Sequence, residues 1–510
     1  MNKLILMTCA SAFAGVMAIA DAATGVTFST NGFVVVDGVL SSYGVAEVVV
    51  PVGVTEIGNN VFGGNDGIRK VILPDGVRKI GWCSFSFCSR LSDIVLPGSL
   101  EEIGDSAFAN CRNLQSVSLP DGIRKIGASA FAHCESLSGI VIPESVVEIG
   151  VGAFNGCDSL VSNGFFIARG VLYVYTGKEP EVVVPDGVTE ISSNVFCNKG
   201  KGVRRVILPD GLVKIGPWAF SGCESLSSIV LPESLVEIGN GAFDGCTSLE
   251  RIEIPDGVGT VAYAAFHGCS RLKHVKVGKN FRVGDVRRKR VRGGFAGLDL
   301  SDTLAGIFEG CKSLETIEID PANASLCVVD GFVYSKDRAT LLFCPCAVTK
   351  ETIVIPDGVT TVANIVSSQC DGLRKVVIPR GVVSIGTTVR RSKSFTEYVV
   401  DEGNERYSSV DGLLLDKKGE TLLACASGRN GHVKVPDSVK KIKYRAFDSC
   451  EGVAEVTIPD GVSKVGRGAF YGCKSLKKLS LPNALKGKID DEGVRFSCAP
   501  DLQIEYRETL

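Results

Sequence analysis

The chain has 510 residues, of which 45% are hydrophobic and only 7% are aromatic, and its formal net charge is −2. This near-neutral charge argues against general nucleic-acid binding, which needs a strongly basic face. The length would ordinarily indicate about three globular domains, but the chain repeats itself, and a stacked array grows by adding units rather than new cores.

The first 22 residues have the pattern of a signal peptide. Lys3 supplies a positive start, residues 4–20 form an apolar run, and Ala20-Asp21-Ala22 offers a small-x-small cleavage site. The pattern predicts a mature chain that begins at Ala23 and is secreted, periplasmic or associated with the cell surface. The alternative, a membrane anchor, is disfavoured because the apolar run is short. We expect no transmembrane segment in the mature chain.

A unit of 23 residues recurs along most of the chain. Segment 74–96 realigns with 97–119, 120–142, 209–231, 232–254 and 459–481, and the shared pattern is P-x-x-V-x-x-I-G-x-x-A-F-x-x-C-x-x-L-x-x-I-x-I. A fixed period of this size, with apolar residues at fixed positions, is typical of a solenoid. A single unit cannot bury its own apolar side, so the core forms only between stacked neighbours.

Each repeat unit, or rung, is predicted to contain two extended segments joined by turns. In 137–142 apolar and variable residues alternate, as they do in a β-strand. The proline that follows ends the strand because it cannot donate a hydrogen bond to the ladder, and Pro-Asp-Gly favours a turn. The segment V-x-x-I-G-x-x-A-F then forms the opposite wall. The predicted fold class is therefore a β-rich solenoid.

Eleven of the 19 cysteines fall at one position of the repeat, and Asn65 takes that position in the first rung. Stacked equivalents lie about 4.8 Å apart with parallel side chains, whereas a disulfide needs Cβ atoms about 3.8 Å apart that point toward each other. We therefore predict a ladder of buried, reduced thiols that cap a backbone turn, with Asn65 filling the same turn and donating a hydrogen bond there. The ladder comprises Asn65, Cys88, Cys111, Cys134, Cys157, Cys223, Cys246, Cys269, Cys311, Cys370, Cys450 and Cys473.

Several segments interrupt the period within a single predicted solenoid over 23–510. We expect an N-terminal cap hairpin at 31–47, a C-terminal cap at 483–510, and hairpin insertions at 161–184, 321–355 and 401–435. The last two resemble each other closely, and we interpret them as side ornaments on the stack. A disulfide from Cys327 to Cys344 or Cys346 is one further interpretation of the first of these two.

The interruption at 279–307 is a basic loop. Its dense charge includes Arg287, Arg288, Lys289, Arg290 and Arg292. One interpretation is a solvated excursion without a role. The other is a contact with an anionic ligand such as a polysaccharide, a lipid headgroup or an acidic protein, which clustered arginines suit.

The unit C-x-x-L-x-x-I-x-I-P-x-x-V-x-x-I-G-x-x-A-F resembles the Treponema-type leucine-rich repeat of the BspA-like family of bacterial surface proteins. The segments at 410–423 and 329–342 are similar to the hairpins found between repeats in that family. The resemblance covers nearly all of residues 31–482. It implies a right-handed leucine-rich-repeat superhelix with a parallel sheet on its concave face and a surface or secreted location. It also implies binding to host or microbial macromolecules.

We find no catalytic or metal-binding pattern. The histidines His133, His267, His274 and His432 are not paired with acids at metal-ligand or triad spacing. Cys344-Pro345-Cys346 lacks the second pair that a zinc site needs. We therefore expect no enzymatic activity, no metal and no cofactor.

The concave face is the expected ligand surface, and its outward positions are mixed, mostly small and free of aromatic residues. These positions are Lys70 and Ile72, Asp93 and Val95, Ser116 and Ser118, Gly139 and Val141, Ser228 and Val230, Arg251 and Glu253, and His274 and Lys276. The face therefore serves either a broad, weak contact or only a scaffold, because tight interfaces favour Trp, Tyr and Arg.

The functional hypothesis is an exported, non-enzymatic protein for adhesion or for protein or glycan interaction at the cell surface. Its partners would be host or microbial surface proteins or glycans, with no specific nucleic acid. The alternative is a structural envelope or surface scaffold that associates with copies of itself.

Overall fold

The fold was established from a computed structural model, which describes residues 26–28, 33–36, 39–42, 46–50, 52–197, 202–282, 304–345, 351–363, 372–386, 392–489 and 498–507. The chain forms two compact units, 1–177 and 178–510. Each unit is a parallel β-solenoid with rungs of about 23 residues, which confirms the fold class predicted from the repeat. That all of 23–510 forms one continuous solenoid stays a prediction.

One strand of each rung follows the repeat leucine, and we call these the A strands. Successive A strands pair in parallel, so that Val71 pairs with Ile94 of the next rung. Residues at this central position face inward and are buried. In the first unit the A strands are Glu47–Val49, Lys70–Ile72, Asp93–Val95, Ser116–Ser118 and Gly139–Val141. In the second unit they are Glu181–Val183, Arg205–Ile207, Ser228–Ile229, Arg251–Ile254, His274–Val277, Thr316–Ile319, Thr352–Val354, Lys375–Ile378, Glu397–Val400, Gly431–Lys434, Val453–Thr457, Lys478–Pro482 and Gln503–Arg507.

The second wall consists of two-residue strands, which we call the B strands. A glycine often follows the B strand because the preceding rung approaches closely. A Cβ atom at Gly127 would lie 2.5 Å from the backbone nitrogen of Asp105. The B strands are Glu56–Ile57, Lys79–Ile80, Glu102–Ile103, Lys125–Ile126 and Glu148–Ile149 in the first unit. In the second they are Glu190–Ile191, Lys214–Ile215, Glu237–Ile238, Thr260–Val261, Thr361–Val362, Ser384–Ile385, Lys441–Ile442 and Lys464–Val465.

A column of phenylalanine rings runs through the core of each unit. In the second unit the ring of Phe243 stacks between Phe220, at a centroid distance of 5.1 Å, and Phe266, at 5.2 Å. All three side chains are fully buried. Burial of one large side chain per rung makes neighbouring rungs the main source of stability, as expected for a repeat array.

The insertions are β-hairpins that continue into the rows of strands. Strand Thr340–Phe343 pairs with Phe332–Ser335 on one side and, in parallel, with the B strand at 361–362 on the other. The corresponding strand at 421–425 pairs in the same way with 441–442. These segments are therefore parts of the stack rather than side ornaments. The hairpin strands are Val26–Phe28, Phe33–Val36, Val39–Ser42, Phe165–Ala168, Val171–Tyr175, Leu326–Val329, Phe332–Ser335, Thr340–Phe343, Tyr407–Val410, Leu413–Asp416 and Thr421–Cys425.

Helical structure in the described ranges is short. It comprises one α-helical turn at Leu304–Ile307 and two 3-10 turns at Asp158–Leu160 and Asn483–Leu485. None of the helices in these ranges is long and apolar enough to cross a membrane. The turn at 304–307 begins the rung again after 283–303, which lie outside the described residues.

Cys327 forms no disulfide in this structure. Its free thiol donates to the carbonyl oxygen of Ser335 across the hairpin, at 3.4 Å. The Sγ of Cys344 donates instead to the carbonyl oxygen of Pro345, and Cys346 lies outside the described residues. The pairing of Cys327 with Cys344 is therefore not observed, because each sulfur is turned toward a backbone carbonyl.

Candidate functional site

The ladder cysteines lie inside the stack, where most of them donate to the phenylalanine carbonyl of the preceding rung. Cys111 Sγ lies 3.1 Å from the carbonyl oxygen of Phe85, and Cys269 Sγ lies 3.1 Å from that of Phe243. The described members are buried cysteines with free thiols: Cys88, Cys111, Cys134, Cys157, Cys223, Cys246, Cys269, Cys311, Cys450 and Cys473. Cys370 lies outside the described residues. Cys450 differs in that it donates to the carbonyl oxygen of Ala426 over 3.8 Å.

Asn65 fills the ladder position without making the cysteine hydrogen bond. Its Oδ1 accepts from the backbone N–H of Gly67, while its buried Nδ2 has no partner in the described part of the chain. The expectation that Asn65 donates like the cysteines is therefore wrong. Cys498, which the repeat spacing did not indicate, extends the ladder by donating to the carbonyl oxygen of Phe470 at 3.5 Å.

Burial makes Cys88, Cys223 and Cys246 poor nucleophiles. It raises the pKa of Cys88 and of Cys223 to about 12, and it raises the pKa of Cys246 as well. A thiol acts as a nucleophile or a metal ligand only as the thiolate. The ladder therefore fits a structural role rather than a redox or catalytic one.

Asp244 and His267 form a hydrogen-bonded pair that could not be recognised from their separation in the sequence. The imidazole Nδ1 of His267 lies 2.7 Å from Oδ1 of Asp244. Ser221, Asp244 and His267 occupy one phase of three successive rungs, so the aspartate lies between the serine and the histidine. In a serine triad the imidazole must lie in the middle to take the serine proton. His267 thus pairs with an acid 23 residues away, a separation set by the repeat and not by a metal-ligand or triad pattern, and the order of this column does not form a catalytic relay.

The other histidines contact glycine or threonine. The ring of His133 lies over Gly156. His274 and His432 are hydrogen-bonded to hydroxyl groups, at 2.9 Å from Thr316 Oγ1 and 2.8 Å from Thr457 Oγ1. Within the described ranges, no three His, Cys, Asp or Glu side chains form a group that could hold a metal ion.

The basic side chains at 287–292 lie outside the described residues, but both ends of the excursion are anchored. The backbone N–H of Arg282 donates to the carbonyl oxygen of Gly259, and the carbonyl oxygen of Gly306 accepts from Ala264. The core resumes at Phe308, whose ring stacks on Phe266. Arg287, Arg288, Lys289, Arg290 and Arg292 therefore stay a predicted anionic contact.

The outer face of the A strands carries a charged column in which opposite charges alternate. Lys70 lies 3.8 Å from Glu47 of the rung before and 4.0 Å from Asp93 of the rung after. Lys478 pairs likewise with Glu455 and Glu505. The pairs are exposed, so each adds little stability. Their main consequence is that the face presents little net charge.

A second column on the same face is apolar and open to solvent. Val49, Ile72 and Val95 are register neighbours in three successive rungs, and Ser118 is the register neighbour of Val141. The exposed fraction reaches 80% at Val141. The second unit continues the pattern with Val183, Ile207 and Val230, of which Val230 is 77% exposed. Ser118 interrupts the column in the first unit, and Glu253 and Lys276 occupy it after Val230 in the second. The exposed apolar residues therefore form short rows, and such patches are typical of an interaction surface.

A shallow polar groove lies beside these columns in the first unit. Its volume is about 420 Å³, and its lining combines two guanidinium groups with amides and hydroxyls: Arg69, Arg90, Ser92, Asn113, Gln115 and Ser136. Such a surface can accept hydrogen-bonding or anionic groups of a ligand.

The parallel rungs, the phenylalanine column and the cysteine ladder define a solenoid of leucine-rich repeats. A family model for the BspA type leucine-rich repeat region matches in 6 copies, over residues 38–161, 173–285, 340–406 and 425–498. The matched residues make up more than half of the chain. The chain belongs to the BspA-type leucine-rich repeat family.

Solved structures of bacterial leucine-rich-repeat proteins are similar to the chain over most of their own length. A leucine-rich cell surface protein from Faecalibacterium prausnitzii is 20% identical, with 91% of this chain and 95% of that chain covered and a TM-score of 0.27. A leucine-rich repeat protein from Bacteroides ovatus is 20% identical, with coverage of 97% and 99% and a TM-score of 0.23. A T. pallidum leucine-rich repeat protein is 29% identical, with coverage of 41% and 90% and a TM-score of 0.27. No curated protein matches the sequence.

Proposed function

We propose that the chain is an exported, non-enzymatic interaction protein that mediates adhesion to proteins or glycans at the cell surface. Leucine-rich-repeat solenoids present extended surfaces for binding, which supports an interaction role. Export rests on the signal-peptide pattern of residues 1–22. The observation that carries the proposal is the exposed apolar column on the A strands.

That column suits contact with another protein. Its valines lie on rigid paired strands, so little conformational entropy is lost when a partner covers them. The neighbouring charged column is already neutralised within the chain by pairs such as Arg205 with Glu181, at 3.6 Å. A partner protein would therefore contact the apolar side chains without strong electrostatic repulsion from the charges beside them. This resembles the apolar centre and polar rim of ordinary interfaces.

A self-associating scaffold is the second candidate. The exposed valines of the A strands also suit contact with a second copy, because the same apolar side chains would then cover each other. Contacts between copies would use this face rather than a foreign partner.

The test compares two sets of equally apolar, exposed valines. One variant carries Val95→Lys, Val141→Lys and Val230→Lys on the A strands. The matched control carries Val147→Lys, Val213→Lys and Val236→Lys, which precede B strands and are also exposed. Binding of each purified protein to biotinylated surface proteins and glycans of intact cells is measured by pull-down and interferometry.

Adhesion predicts that the A-strand variant loses binding at least tenfold and that the control variant binds like the parent. Equal binding by both variants would contradict the use of this face. Concentration-dependent sedimentation without binding to any heterologous surface would favour the scaffold. Export is tested separately, by N-terminal sequencing of the secreted protein, which should begin at Ala23.

A further inference from the structure

The B strands follow a rule of charge alternation from Glu56 to Glu148 in the first unit and from Glu190 to Glu237 in the second. Lys79 pairs with Glu102 of the next rung at 3.3 Å, and Lys125 pairs with Glu148 at 3.0 Å. In the second unit Lys214 pairs with an acid on either side, Glu190 at 3.5 Å and Glu237 at 3.8 Å. Each lysine of these columns therefore has a carboxylate within one rung.

The alternation stops at the uncharged Thr260, Thr361 and Ser384, and the column becomes basic near the end of the chain. Lys441 and Lys464 are register partners on adjacent parallel strands, and the residue before them in the column is Thr421. Both lysines are exposed, and neither forms an ion pair among the described residues. Like charges directly opposite each other on neighbouring strands destabilise a sheet. The folded chain thus holds two ammonium groups together without an internal counterion.

A third lysine joins them where the repeat normally has glycine. Lys443 directly follows the B strand at 441–442, in the phase of Gly127 and Gly466, and is exposed without an ion pair in the described ranges. Room for the side chain exists because the rung before it is a hairpin strand at 421–425, to which the Lys443 N–H donates at Leu422. Three unneutralised ammonium groups therefore lie within two adjacent rungs.

An aromatic platform lies on the turn that follows these lysines. The guanidinium carbon of Arg445 is 5.4 Å from the ring centroid of Tyr444 and 4.5 Å from that of Tyr471 in the next rung. Asp448 holds the Arg445 guanidinium from the side, at 3.4 Å, and its own carboxylate is almost fully buried. The Arg445 stem passes over Gly468.

This stack fixes two tyrosines that remain partly open to solvent. Tyr444 is 39% exposed and Tyr471 is 43% exposed. The positive φ of Arg445, 53°, belongs to the repeat turn, since Cys83, Ser106 and Ser129 have the same value at the same position.

We propose that Lys441, Lys443 and Lys464, together with Tyr444 and Tyr471, form a binding site for an anionic polysaccharide. The ammonium groups, two in one rung and one in the next, pair with sulfate or carboxylate groups on neighbouring sugars. The rigid tyrosine rings offer apolar faces for the C–H faces of the sugars. This inference deepens the proposed function, on which it rests, by assigning one ligand class to one site.

The same surface fits an acidic peptide less well. A flexible peptide with the same charges could pair with the lysines alone. It would have no need of the two partly exposed tyrosines, which Arg445 and the buried carboxylate of Asp448 hold in place. The aromatic contribution therefore separates the two ligand classes. A glycan should depend on both groups of residues, and an acidic peptide on the charges only.

The experiment measures binding of a heparin oligosaccharide, a polygalacturonate oligosaccharide and poly-glutamate to the full chain by calorimetry. The patch variant is Lys441→Ser, Lys443→Ser and Lys464→Ser. The matched control is Lys79→Ser, Lys125→Ser and Lys214→Ser, which removes the same charge from ion-paired lysines. A third variant is Tyr444→Ala with Tyr471→Ala. Any contribution of other basic segments is common to all four proteins.

We expect the patch variant to lose at least tenfold in affinity for an anionic glycan and the control to lose less than threefold. The tyrosine variant should lose several-fold with an unchanged salt dependence, and hydrogen exchange should slow at 441–471 when the glycan binds. The two oligosaccharides distinguish sulfate from carboxylate ligands. Equal losses in patch and control variants, or poly-glutamate binding as tight as glycan binding, would overturn the proposal. Glycan binding that survives the A-strand valine substitutions separates this site from the protein-contact face.

Discussion

The Sγ of Cys246 donates a hydrogen bond of 3.3 Å to the carbonyl oxygen of Phe220, which lies 26 residues earlier in the preceding rung. The same relationship recurs between Cys223 and Phe196 and between Cys473 and Phe447. The thiol is a second donor to such a carbonyl, since the carbonyl oxygen of Phe220 also accepts from the backbone N–H of Cys223, at 3.1 Å. The ladder joins neighbouring rungs through side-chain to backbone contacts rather than through covalent links.

We predict that the ladder cysteines are reduced in the exported protein. Thiol titration of the unfolded chain, without reductant, should find most of the eleven free. In the native protein, mass spectrometry after brief alkylation should show modification first at the partly exposed Cys83 and Cys197. Widespread disulfides among the ladder cysteines would show that the stack is held together covalently.

Stability should fall at alkaline pH because of these thiols. Burial raises the pKa of Cys223 to about 12, while an unfolded cysteine ionises near about 8.5. The protonated thiol therefore contributes its full share of the unfolding free energy below about pH 8.5. This share is lost as pH rises toward 12, because over that range only the unfolded chain releases the thiol proton. Each such thiol should remove about 1.4 kcal/mol of unfolding free energy per pH unit.

Urea unfolding at intervals from pH 7.5 to 10.5 measures this dependence. The double variant Cys223→Ala and Cys246→Ala should show a shallower fall than the parent, whatever its stability at neutral pH. Identical slopes in the two proteins would mean that the buried thiols do not control alkaline unfolding.

Replacing Phe243 with Ala should destabilise the protein by about 3–5 kcal/mol, since the change removes a buried ring and leaves a cavity. The loss should spread to the rungs of Phe220 and Phe266, which stack on that ring. Hydrogen exchange measures the spread. Val236→Ala, an exposed position in the same rung, is the control and should change exchange little. An effect confined to residues 232–254 would contradict a cooperative stack.

The basic loop should act, if it acts, through screened electrostatics. Changing Arg287, Arg288, Lys289, Arg290 and Arg292 to Ser should leave the circular dichroism spectrum unchanged, because no core position of the repeat is altered. Binding to anionic vesicles or glycans should fall strongly at low salt and less at physiological salt, where charges are screened over about 8–10 Å. Unchanged binding would leave the loop as a solvated excursion.

The period of the sequence was enough to predict the fold class, the rung length and the inward side of each rung. Leu91, Ile94 and Phe85 are buried as expected, because an apolar residue at a fixed phase has only the neighbouring rung to cover it. The hairpin at 332–343 could also be predicted, since two alternating apolar runs flank a polar turn. The pairing of this hairpin with the B strand at 361–362 could not be predicted. Alternating apolar residues indicate a strand, but they do not show which other strand it pairs with.

Contacts made where the 23-residue period is interrupted could be recognised only from the tertiary structure. Cys498 reaches the carbonyl of Phe470 across 28 residues, because the intervening segment departs from the repeat length. Lys443 is accommodated because a hairpin strand replaces the rung beneath it, and Arg445 reaches Tyr471 only when two rungs are stacked. A repeat pattern records which side chains point inward. Which exposed side chains meet, and with what charge, is decided by the stacking of rungs that differ at their surface positions.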